Sequence, residues 1–258
     1  MRHYESFVAL GDSFTEGLND PGGDGHYRGW ADRVAERLAL DDPSFRYANL
    51  AVRGKLLGQI VDEQVPLAVR MAPGLVGLCA GGNDLLRPGS DPDVMAKTLA
   101  RAVRELRSSG AQVLLFTGVD PRDMPLMRRL RGRFALYYLH VRSIADLYGC
   151  RLVDQWSMQG LRDWRAWSED RLHMNADGHR LVAARVLDVL GVPFDGAHAT
   201  WPDRAADPRA RRREDAQWIR GHLVPWVSRR LRGVSSGHGL TPKRPDLSPW
   251  EHAAPHRL

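Results

Sequence analysis

The stretch Phe7-Val8-Ala9-Leu10-Gly11-Asp12-Ser13-Phe14-Thr15-Glu16-Gly17 decides how this chain is read. Its short apolar run reads as a buried strand, and it ends in a polar, glycine-flanked turn that presents one serine, Ser13. In an open α/β sheet, ligands bind outside the carboxyl ends of the strands, so a serine placed there is well situated for chemistry. A hydroxyl alone is a weak nucleophile. A chemical role for Ser13 therefore requires a base, an acid that orients the base, and donors for a developing negative charge.

Outward from this stretch, strand-like and helix-like patterns alternate. Strand-like runs fall at residues 6–10, 47–52, 75–80, 113–118 and 151–154. Between them lie amphipathic segments. Trp30, Val34 and Leu38 recur by steps of four. Residues 59–70 (interrupted by Pro66), 93–107, 126–148 and 176–190 behave similarly. In the segment 126–148 the expected apolar side is Leu136, Leu139, Val141, Ile144 and Leu147. This alternation predicts an α/β fold, a five-stranded parallel sheet with helices on both faces. From Pro193 the character changes. A polar connection leads to a basic helix expected at residues 209–232, bent at Pro225. Residues 233–258 are Gly/Ser/Pro-rich and read as an extended tail without a core of its own. The expected organisation is a main domain at 1–192, a linker and packed helix at 193–232, and a tail at 233–258.

Composition excludes several classes. The 258 residues are 43% hydrophobic, enough for one sizeable core. No stretch approaches the roughly 18 uninterrupted apolar residues of a membrane span. The first strand begins by Tyr4, leaving no room for a secretory leader, so the expectation is an intracellular, cytoplasmic protein. Cys79 and Cys150 are expected to be buried free thiols. Residues 1–200 carry 25 Lys+Arg against 25 Asp+Glu, whereas residues 201–258 carry 12 against 6 and account for the whole net charge of +6. Basicity thus belongs to the C-terminal segment, which argues against nucleic-acid binding by the main domain. No cluster with metal-ligand spacing and no phosphate-cradling glycine loop occurs, so no cofactor is expected.

Asp170-Arg171-Leu172-His173 offers the base and the acid. An Asp three residues before a His on a loop lets the carboxylate hold one ring nitrogen protonated, leaving the other to take the serine proton. Two further segments follow strand ends on the same edge of the sheet: Asn49-Leu50-Ala51-Val52-Arg53-Gly54 and Cys79-Ala80-Gly81-Gly82-Asn83-Asp84. The Gly54 N–H, the Asn83 side-chain amide and the Ser13 N–H make three donors for an oxyanion. Removing such a donor costs roughly 3–4 kcal/mol.

These blocks, Gly11–Gly17, Gly54, Gly81–Asp84 and Asp170–His173 with Gly178-His179 after it, occur in the order seen in the SGNH/GDSL hydrolase superfamily, which the chain resembles over residues 4–192. The resemblance implies Ser13 as nucleophile, His173 as base, Asp170 as its partner, and Ser13, Gly54 and Asn83 as the oxyanion hole. It also implies a three-layer, flavodoxin-like α/β/α fold. The activity it implies is hydrolysis of a small-molecule acyl ester. Met174 departs from the proline that many members carry after the catalytic histidine.

Other features receive structural readings. Gly233-Val234-Ser235-Ser236-Gly237 matches a nucleophile elbow, but a helix precedes it where a strand is needed. His179 is expected to be tied to backbone near the start of its helix, and Asp12 and Asp84 to fasten loops. His26 and Tyr27 are expected in a solvated loop. Arg53 is a weaker candidate for an anionic substrate group. Trp164 and Trp167, three apart, are candidates for a pocket platform, and the Arg128–Arg133 run for a solvated helix face. Acyl transfer by the same triad, or a binding protein using the basic C-terminal helix, are the alternatives. A homo-oligomer is left open.

Overall fold

A computed structural model describes residues 4–23, 25–124, 127–194, 221, 237 and 239–250. Apart from Gly221, the expected helix at 209–232 lies outside the described residues, as does most of the Gly233–Gly237 motif. The sheet is built from β1 (Ser6–Gly11), β2 (Arg46–Asn49), β3 (Leu75–Cys79), β4 (Gln112–Phe116), β5 (Arg151–Val153) and β6 (Arg244–Pro249). The order is β5-β4-β3-β1-β2-β6. The first five strands are parallel, and β6 pairs antiparallel with β2. The expectation of five strands is corrected to six, because part of the tail adds to the open edge of β2. An edge position tolerates the prolines of β6, which need a partner on one side alone.

All six residues of β1 are buried. Successive side chains point to opposite faces, and two cores result. Val8 and Leu10 pack under α3 (Leu57–Glu63), α4 (Val65–Met71), α6 (Pro92–Ser108) and α7 (Arg131–Leu147). Phe7 and Ala9 pack under α2 (Trp30–Ala39) and α8 (Ala176–Leu190). This is the α/β/α layering expected of a parallel sheet.

Two helical readings are corrected. Residues 59–70 do not form one helix; the segment breaks at Gln64 between α3 and α4. In α7 the buried face runs through Phe134, Tyr137, Tyr138, Val141 and Ile144, whereas Leu136, Leu139 and Leu147 are exposed.

From β1 the chain crosses to β2 on one side and is flanked by β3 on the other, so the strand order reverses at β1. A crevice opens at such a reversal, outside the carboxyl ends of the strands. Gly11 closes β1 at this point. It has φ +154°, and a Cβ there would stand 2.6 Å from both the Cys79 carbonyl and Thr15 Oγ1. Only glycine lets the chain turn so tightly between β3 and the next helix.

Candidate active site

Ser13 opens a four-residue helix, α1 (Ser13–Glu16), which Asp12 caps by accepting the Phe14 N–H at 3.1 Å. The strand end feeding it is held by Gln64. The side-chain oxygen of Gln64 accepts the Gly11 N–H at 2.8 Å, and its amide donates to the Gly11 carbonyl at 2.9 Å. The break between α3 and α4 thus delivers a side chain that replaces a missing strand partner at the last residue of β1.

His173 Nε2 lies 3.1 Å from Ser13 Oγ, and its Nδ1 lies 2.7 Å from Asp170 Oδ2. Asp170 is fixed from several sides. Its Oδ1 accepts the N–H groups of Leu172 and His173, each at 2.9 Å, and the Ser168 hydroxyl at 2.7 Å. Asn19 donates to Oδ2 at 2.9 Å. The tight turn puts Arg171 at φ +52°. Burial works against the charged carboxyl of Asp170. The hydrogen bond and charge of His173, with the two backbone donors, outweigh it and hold the group well below the usual carboxylate range. With Nδ1–H directed at a carboxylate, Nε2 is the nitrogen able to accept the serine proton.

Asn83 stands in α5 (Gly82–Leu85), after β3. Its Nδ2 donates to Asp12 Oδ2 and to the Lys55 carbonyl, each at 3.1 Å. Asp84 Oδ2 accepts the Leu57 N–H at 2.9 Å, tying the same two loops together. Gly54 precedes Lys55 and has φ +75°. The loops after β1, β2 and β3 are therefore fastened to one another at the crevice. Burial pushes the Asp12 carboxyl up to about 6, against the pull of the Phe14 N–H and the His173 charge.

A cavity of about 170 Å³ adjoins Ser13 and His173, walled by apolar side chains including Phe116, Val119, Met124, Phe134 and Trp167. His179 also borders it, buried to 1% exposure. Its Nδ1 accepts the Trp30 N–H at 3.2 Å, the backbone tie expected of a structural histidine. Burial, with the nearby charges of Arg33, Lys243 and His173, pushes it down to about 3.

Several secondary candidates are placed differently from expectation. Arg53 is engaged by the Glu16 carboxylate and lies over the Tyr27 ring, 5.0 Å from its centre, so it is committed to internal contacts. Trp164 opens a short 3-10 turn and Trp167 follows its last residue; Trp167 lines the cavity, whereas Trp164 lies under the Arg171 guanidinium instead of joining it there. In the arginine run, Arg131 forms a two-pronged pair with Asp120 at 2.7 and 2.9 Å, and Arg133 donates to the carbonyls of Leu85 and Arg87. Cys79 and Cys150 are free and half-buried. Gln64, Asn19 and Glu16 were not singled out by the sequence. Gln64 ends the polar run Asp62-Glu63-Gln64, and no local signal distinguishes it from its two neighbours.

Among the described residues, no helix is long and apolar enough to cross a membrane. A family model described as GDSL-like Lipase/Acylhydrolase family matches residues 9–181. Esterase TesA of Pseudomonas aeruginosa is 30% identical over 136 residues, which span 51% of this chain and 65% of that esterase, just under two thirds of its length. Three solved structures share the fold. The TesA crystal structure superposes with a TM-score of 0.60 at 23% identity, covering 72% of this chain and 97% of that one. LAE5, an alpha/beta hydrolase enzyme from the metagenome of Lake Arreo, Spain, gives 0.61 at 23% identity, covering 72% and 95%. Axe2, an acetylxylan esterase from Geobacillus stearothermophilus, gives 0.59 at 19% identity, covering 76% and 97%.

Proposed function

We propose that this chain, which belongs to the GDSL-like lipase/acylhydrolase family, is a serine ester hydrolase that works through an acyl-enzyme on Ser13. The observation that carries the reading is the unbroken relay Ser13 Oγ, His173 Nε2, His173 Nδ1, Asp170 Oδ2, with gaps of 3.1 and 2.7 Å. Ser13 Oγ bonds to the ester carbonyl carbon while its proton passes to His173 Nε2. Asp170 keeps Nδ1–H in place and opposes the imidazolium charge. The carbonyl oxygen, now negative, is met by the N–H groups of Ser13 and Gly54 and by Asn83, which turns a hydrogen away from Asp12. Collapse breaks the bond to the alcohol oxygen, and that oxygen takes the proton from His173. Water, deprotonated by His173, then attacks the acyl carbon. The acid leaves and Ser13 regains its proton.

The apolar cavity beside Ser13 supports an acyl ester of a small molecule as the substrate class. Two of the similar proteins, an esterase and an acetylxylan esterase, agree with ester chemistry. An organophosphonate is the test. It is expected to label Ser13 stoichiometrically and to abolish hydrolysis of nitrophenyl esters, and Ser13→Ala is expected to be inert to both. Labelling at another residue, or wild-type turnover by Ser13→Ala, overturns the reading.

A further inference from the structure

We infer that Lys243, in the C-terminal segment, is a positioning residue that holds the nucleophile turn and the neighbouring oxyanion loop in register. The inference rests on the hydrolase reading above. It concerns a segment beyond the residues the family model matches.

Lys243 is 9% exposed, and its ammonium has three partners. It donates to the Glu16 carbonyl at 2.6 Å and to the Tyr27 carbonyl at 2.8 Å, and pairs with Asp32 Oδ2 at 2.6 Å. All three ammonium hydrogens are thereby directed at protein oxygens. Glu16 is the last residue of the four-residue helix that Ser13 begins. The terminal carbonyls of so short a helix lack intrahelical donors, and Lys243 supplies one.

Glu16 also reaches the other half of the site. Its Oε2 accepts the Arg53 N–H at 2.8 Å, and its carboxylate holds the Arg53 guanidinium. Arg53 is bonded directly to Gly54. Tyr27, the second carbonyl partner of Lys243, lies under that same guanidinium. One ammonium therefore bears on the backbone of the nucleophile turn and on the support of the Arg53–Gly54 loop.

The segment carrying Lys243 is itself anchored. Tyr47 pairs with Ser248 and Asn49 with Arg244 across β2 and β6. The Arg244 guanidinium packs on both the Tyr47 and Trp250 rings, 5.6 and 5.2 Å from their centres. Gly237 approaches the oxyanion loop so closely that a Cβ there would stand 2.0 Å from the Arg53 carbonyl oxygen.

Lys243→Met in the full chain tests the role, since Met keeps the stem and removes the donors. Misplacement of about 1 Å in a catalytic group costs on the order of 10²-fold. We expect kcat on a nitrophenyl ester to fall by about 10- to 100-fold with KM changed less than about threefold. The rate of phosphonate labelling at Ser13 should fall by the same factor. Both are measured at a temperature where circular dichroism shows wild type and variant fully folded. Lys243→Gln retains amide donors and should recover part of the lost kcat; it also serves if the Met variant does not fold. A variant that melts at lower temperature but labels and turns over like wild type overturns the inference and leaves the hydrolase reading standing. Absence of label on Ser13 in wild type overturns both.

Discussion

His179 and Asp12 are both buried beside the cavity, and their protonation should oppose each other in the stability of the fold. The histidine is pushed down from its ordinary 6.5 to about 3. Between those values the unfolded chain binds a proton that the native ring refuses. Stability from this group is present above pH 6.5 and is lost as pH falls, by about 1.4 kcal/mol per pH unit. Asp12 is pushed up from 3.8 to about 6. Between those values the native carboxyl holds a proton that the unfolded one has released. Its contribution is therefore fully present below 3.8 and lost as pH rises through 6, with the same slope and the opposite sign. From pH 6 to pH 4 the two nearly cancel, each amounting to about 3 kcal/mol.

His179→Asn retains an acceptor for the Trp30 N–H and removes the titration. Urea unfolding of wild type and variant at half-unit steps from pH 4 to pH 7 isolates the effect, because groups common to both cancel in the difference. The stability of wild type relative to the variant is expected to drop by about 3 kcal/mol between pH 7 and pH 4. Asp12→Asn should move the difference the other way, by a similar amount between pH 6.5 and pH 4. Curves that run parallel across this range would refute the assignment of a neutral buried imidazole at His179.

Two further outcomes concern the site and its support. Asn83→Ala removes one proposed oxyanion donor and should lower kcat by about 10²- to 10³-fold with little change in KM, read on a nitrophenyl ester; a loss under threefold contradicts the donor role. Gln64→Leu strands the N–H of Gly11 in a buried position, leaving its carbonyl with the Val52 N–H at 3.3 Å, and should cost about 1–3 kcal/mol of unfolding free energy, seen as a shifted urea midpoint at unchanged slope.

The five parallel strands were legible because a strand buried on both faces reads as a near-continuous apolar run, as at Phe7–Leu10 in β1, Leu75–Cys79 in β3 and Val113–Phe116 in β4. The strand β6 was not, for the opposite reason. Arg244-Pro245-Asp246-Leu247-Ser248-Pro249 carries two prolines and a single large apolar side chain. An edge strand pairs on one side and faces solvent, so no hydrophobic pattern is imposed on it. The face of α7 was misread because Tyr137 and Tyr138 were not counted as core, although Tyr137 buries its ring and donates its hydroxyl to the Ala80 carbonyl at 3.1 Å. At the site, Ser13, His173, Asp170 and Asn83 sit in short local blocks whose residue types match their chemistry. Gln64, Glu16 and Lys243 act by reaching across the fold. Lys243 and Glu16 are 227 positions apart, and no local pattern records that kind of partnership.

The antiparallel docking of β6 on β2 also bears on how the molecule is made. Strands β1 to β5 and helix α8 are complete by Leu190, about fifty residues before β6 begins. Chains emerge from the ribosome at about 5–20 residues per second, and domains fold as they emerge. For several seconds, then, a nascent sheet displays the unpaired edge of β2 and an Asp32 carboxylate without its ammonium. During that interval the edge is open to strands from neighbouring nascent chains, an aggregation hazard that ends when β6 arrives.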